Sequence, residues 1–148
     1  MSQWTHVSGC IRIDFIPIII TGGSHGDYEK TIREHFGKTW KFDDDYKVIE
    51  AGTTPQGSEG SVQYGIVHTG IDNSFEWGAV YIWADLRDYE DYQGIYEWIK
   101  KSCEGLIIRT CSVVVQVEYK GIYVIYNDGE EILMKRLNEI TETSQERE

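Results

Sequence analysis

Trp77-Gly78-Ala79-Val80-Tyr81-Ile82-Trp83-Ala84-Asp85-Leu86 is the stretch that decides the fold class. Val80, Ile82, Ala84 and Leu86 fall on one side of a two-residue period; Trp77, Ala79, Tyr81 and Trp83 fall on the other. Strict alternation over this length is the pattern of a β-strand with one face in a core. Working back, residues 62–69 repeat it, with Val62, Tyr64, Ile66 and His68 together. Turn-forming residues at 70–74 join the two runs into a hairpin. Residues 4–15 also alternate, Val7, Ile11, Ile13 and Phe15 against Trp4, His6, Ser8, Cys10 and Arg12, and the apolar run continues past Pro17 to Ile20. Working forward, residues 109–119 place Cys111, Val113, Val115, Val117 and Tyr119 on one face. Lys120-Gly121 then turns the chain into a further strand over 122–126.

Two segments change to helical spacing. Tyr28, Ile32, His35 and Phe36 share a face, with Ser24 or Asp27 placed to cap the start and Gly37 to stop the helix. Tyr92, Ile95, Tyr96 and Ile99 do the same over 91–102, with Asp88 or Asp91 as cap and Gly105 beyond the end. A short strand is expected over 46–50 and a short amphipathic helix over 131–140. Strand, helix, hairpin, helix, hairpin is the order of an α+β protein. The expected architecture is a ferredoxin-like sandwich, a mainly antiparallel sheet with two helices on one face and room for decoration. Residues 1–140 are read as one domain and 141–148 as a polar, disordered tail. Helices take the aliphatic face of such a sheet, so Trp77, Tyr81 and Trp83 are left opposite as candidates for a ligand or subunit interface.

Composition narrows the function. A length of 148 residues with 41% hydrophobic content suffices for one packed core. The net charge of −11, from 14 basic and 25 acidic residues, argues against direct nucleic acid or anionic membrane as a partner. Three cysteines, Cys10, Cys103 and Cys111, form no Cys-x-x-Cys pair, which fits reduced thiols better than a disulfide framework or a zinc site. With no basic start followed by an apolar run, and no apolar stretch near ~20 residues, a cytoplasmic protein is expected.

Four constellations are candidates for chemistry. Gly22, Gly23, Ser24 and His25 lie in a glycine-rich turn before a helix, where converging amides can hold phosphate. No lysine follows, so the turn is not a nucleotide-hydrolysing loop, and a plain capped turn is the competing reading. Gly57, Ser58, Glu59 and Ser61 offer hydroxyls, a carboxylate and amides in a loop that is either a recognition element or a simple connection. His6-Val7-Ser8 matches one half of a two-histidine phosphodiesterase pattern, but His68-Thr69-Gly70 lacks the hydroxyl two residues on. The acids Asp43, Asp44, Asp45, Asp85, Asp88, Glu90 and Asp91 lack calcium-loop spacing and read as a solvated face.

Trp4-Thr5-His6-Val7-x-Gly9-x-Ile11-Arg12, Gly57-Ser58-Glu59-Gly60-Ser61 and Asp85-Leu86-Arg87-Asp88-Tyr89 together resemble a group of small accessory proteins of tailed bacteriophages. The resemblance implies expression in a host bacterial cytoplasm and action on host machinery or defence signals. It brings no catalytic residue and no cofactor. The expected function is therefore a non-catalytic, homo-oligomeric binding protein that counters host defence. It would sequester a nucleotide-like small molecule or block a host defence protein; a phosphodiesterase using His6 and His68 is the alternative.

Overall fold

The computed structural model describes residues 2–15, 27–69 and 76–137. Alternation dictates its centre. Strand β1 (Trp4–Phe15) is flanked by β5 (Glu76–Arg87) and β6 (Ile107–Val117), both antiparallel to it. Strand β4 (Gln63–Thr69) pairs with the outer side of β5. Strands β7 (Gly121–Asn127) and β8 (Ile132–Arg136) continue beyond β6. The result is one six-stranded antiparallel sheet in the order β4-β5-β1-β6-β7-β8. The β1–β5 register runs unbroken from Trp4 opposite Arg87 to Phe15 opposite Glu76. Between β1 and β6 it slips once, at Arg12 and Ile13, leaving Arg109 as the extra residue.

Two helices cover one face. Helix α1 (Asp27–Phe36) stops at Gly37, whose φ of 86° is a left-handed conformation that suits glycine and whose N–H bonds to Arg33 O at 2.9 Å. Helix α2 (Tyr92–Ser102) starts at Asp91, whose Oδ1 accepts from Gly94 N at 2.9 Å. Ile32 and Phe36 from α1 and Ile95 and Ile99 from α2 are buried against Val7, Ile11, Val80, Ile82, Val113 and Val115. The helices also lock to each other: Trp98 Nε1 donates to Phe36 O at 3.2 Å, and the two rings meet edge to face at 5.7 Å. Tyr28 anchors α1 to β1 by donating to Ile13 O at 2.9 Å.

Three expectations need correction. Residues 132–136, expected to lie in a short helix over 131–140, instead form β8, because the outer side of β7 offers them a full ladder; 138–140 lie outside the described residues. Tyr119 does not face the core: it sits in the turn after β6 with φ 68° and is 78% exposed. The strand expected over 46–50 is shorter, β3 (Val48–Glu50), and pairs with β2 (Lys41–Phe42) as a separate ribbon, with Tyr46 in the turn at φ 61°. The tail at 141–148 lies outside the described residues.

Candidate functional site: the uncovered sheet face

Because side chains alternate, the face away from the helices is lined by the other parity of every strand. On β5 this parity is Trp77, Ala79, Tyr81, Trp83 and Asp85; on β1 it is Trp4, His6, Ser8, Cys10, Arg12 and Asp14. Tyr81 is 49% exposed and Trp83 51%, with Trp77 at 42%. These are large fractions for rings in the second strand of a six-stranded sheet. The six-membered ring of Trp83 lies over Gly65 of β4, where even a Cβ would be in contact with it at 3.6 Å. Next to the rings the relief drops. Ser8 stands opposite Trp83, Cys10 opposite Tyr81, and Ser112 of β6 opposite Cys10. A ridge of rings on β5 thus borders the small side chains Ser8 and Cys10 on β1, beyond which β6 presents Ser112 and the exposed Val114.

The charges on this face are arranged in local groups. His6 Nδ1 is 2.6 Å from Asp85 Oδ1, and His6 Nε2 is 2.9 Å from Glu118 Oε2. Hydrogen bonding to Asp85, then to Glu118, raises the His6 pKa. Asp14, buried at the other end of β1, pairs with Arg109 Nε at 3.2 Å. Arg12 is exposed between these groups, opposite Ala79, and among the described residues no acid is paired with it. Lys135 of β8 stands 5.6 Å over the Tyr126 ring.

Compared with known protein families, curated proteins and solved structures, this chain matches none.

The sequence-derived candidates are distributed unevenly over this architecture. Trp77, Tyr81 and Trp83 lie on the uncovered face as alternation required. Gly22, Gly23, Ser24 and His25 lie outside the described residues. Gly57, Ser58, Glu59 and Ser61 are present, but their polar groups are engaged internally. Gly57 N bonds to Gly60 O, Ser58 N to Arg87 O at 2.9 Å, and Arg87 N to Glu59 O at 3.1 Å. The Glu59 carboxylate pairs with the Arg87 guanidinium, Ser58 Oγ donates to Asp88 Oδ2 at 3.2 Å, and buried Ser61 accepts from Gln63. This loop clamps the end of β5 through the Ser58 amide, the Glu59 carbonyl and the Glu59 carboxylate.

The two histidines are not brought together. His6 is opposite Asp85 on the uncovered face, whereas His68 is opposite Gly78 at the other end of β5 and on the helix side, where its ring stacks on Tyr28 at 4.9 Å. Seven residues of strand put them about 23 Å apart along the sheet, on opposite faces, too far for a shared acid–base step. Arg12 and Glu118 were not singled out from sequence. The parity that identified the rings also carries Arg12, which could have been read; Glu118 meets His6 across two strands, and no local pattern announces that.

Proposed function

We propose that this is a non-catalytic binding protein of phage origin that sequesters a nucleotide-like small molecule and so counters host defence. The observation that carries the reading is the half-exposed pair Tyr81 and Trp83 beside Arg12, which has no acid paired with it among the described residues, on one sheet face. A nucleobase stacked on such a ring gains about 1–3 kcal/mol. A phosphate beside it meets Arg12, whose planar fork suits phosphate oxygens. The net charge of −11 works against any anion. At physiological salt, however, the screening length is about 8 Å, and the acids nearest Arg12 on this face are already paired.

The finer architectural reading is a ferredoxin-like sandwich decorated by β7 and β8. Its support is connectivity: β1–α1–β4 and β5–α2–β6 each join two strands by a helix and leave one strand between them, giving the core order β4-β5-β1-β6. That arrangement puts β1 and β5, the strands bearing Arg12 and the rings, side by side at the centre of the four.

Calorimetry and native mass spectrometry with cyclic dinucleotides and ADP-ribose derivatives test the function. Binding should weaken at least tenfold in Trp83→Ala and in Arg12→Ala, and chromatography should return the ligand unchanged. Turnover that vanishes in His6→Ala, or binding indifferent to both substitutions, would refute the reading.

A further inference from the structure

We propose that the ring-bearing sheet face is closed by a second copy of this chain, the two sheets packing face to face about a twofold axis with the bound ligand between them. This rests on the nucleotide-capture reading for the ligand, while the contact between copies is carried by four features of the face.

The site is half a site. Tyr81 and Trp83 offer one surface to a flat ligand and leave its other side in water. Small-molecule sites commonly bury roughly 70–90% of the ligand, which an open sheet cannot do alone. An identical sheet laid over it supplies the missing side.

The area fits. Strands of 12, 12 and 11 residues form the centre, with 7, 7 and 5 in β4, β7 and β8. At a strand spacing near 4.8 Å and a rise near 3.3 Å they tile at most roughly 850 Å², part of it, at Ala79 and Asp14, already buried. A standard stable interface uses about 800 Å² per partner.

The relief is self-complementary. The β5 ridge, Tyr81 and Trp83, borders the small side chains Ser8 and Cys10, with Ser112 beyond them. In a twofold contact each patch meets its own copy, so a ridge beside a valley can interlock with a ridge beside a valley. Sheets packed face to face sit about 10 Å apart and interdigitate in this manner.

The charge is distributed to match. Two copies that each carry a net charge of −11 repel overall, so self-association is favoured through a face on which acids are balanced by bases. Among the described residues of this face, Asp14 pairs with Arg109, Asp85 and Glu118 share the single imidazole of His6, and Arg12 and Lys135 add positive charge. Acid is concentrated elsewhere, as in the exposed Asp43, Asp44 and Asp45.

Sedimentation velocity over about 1–100 μM protein, with and without a cyclic dinucleotide, reads the assembly directly. A dimer is expected, strengthened by ligand. Raising salt from about 50 to 500 mM, which shortens the screening length from roughly 14 to 4 Å, should strengthen it further by masking repulsion between two acidic bodies. Ser112→Arg places charge in the valley at an exposed position; it should give a monomer whose melting temperature is unchanged. Alkylation of Cys10, on the valley floor, should slow as protein concentration rises. A monomer at every concentration, or a dimer untouched by Ser112→Arg, would overturn the proposal. A monomer that still retains nucleotide one to one would overturn the dimer and leave capture standing. A dimer split by Ser112→Arg that retains no nucleotide would keep the contact and overturn capture.

Discussion

His6 Nδ1 lies 2.6 Å from Oδ1 of Asp85, directly across the β1–β5 register, and Glu118 takes the opposite nitrogen at 2.9 Å. Both ring nitrogens donate only in the doubly protonated imidazolium, so the two carboxylates favour the charged ring and raise its pKa above the ordinary 6.5.

A raised folded-state pKa sets the direction of the pH dependence. The stabilisation is fully present below pH 6.5 and is lost as pH rises through the folded-state value. The His6 side chain is 41% exposed, so solvent screens the effect and keeps it small. Wild type should exceed His6→Gln in melting temperature most at pH 5.5–6.5, with the gap closing toward alkaline pH. A gap that stays constant or widens with pH would remove the charged pairing.

The Gln56–Ser61 loop should behave as a structural clamp. Gly60 has φ 80°, and a Cβ there would collide with the Asp85 carbonyl oxygen. Gly60→Ala therefore combines backbone strain with a clash against the end of β5. A loss of about 1–3 kcal/mol is expected by urea denaturation, with ligand affinity per folded molecule unchanged. A stable Gly60→Ala protein that binds poorly would return the loop to a recognition role.

Helix α2 offers two substitutions of different size. Removing the cap by Asp91→Ala should cost about 1 kcal/mol, since the Gly94 amide loses its acceptor. Ile99 is fully buried between helix and sheet, and Ile99→Ala should cost about 2–5 kcal/mol. Equal effects would mean that the inner face of α2 is less tightly packed than its burial indicates.

The thiols should separate by position. Burial pushes Cys103 and Cys111 up to about 12, so neither supplies thiolate near neutral pH. Half-exposed Cys10 also has a raised pKa, by a smaller desolvation. Intact-mass analysis after maleimide treatment at pH 8 should find one slow adduct on the native protein and three after denaturation. Two or three rapid native adducts would contradict the burial of the pair.

What the sequence determined by itself is the parity of side chains along each long element. Residues 77–86, 109–117 and 92–102 carry unbroken periods of 2 or 3.6, so strand and helix identities, the aliphatic core face and the ring-bearing face could all be read locally. Tertiary structure decided the rest, because it depends on which strands become neighbours. Five residues at 132–136 are a strand only because β7 has a free side to pair with. The Ser58 amide and the Glu59 carboxylate are engaged because the end of β5 arrives beside them, 28 residues on at the Glu59–Arg87 pair. His6 and His68 share a motif-like spelling, yet one lies on each face of the sheet. His6 instead meets acids 79 and 112 residues away in sequence, joined by hydrogen bonds that no local period encodes.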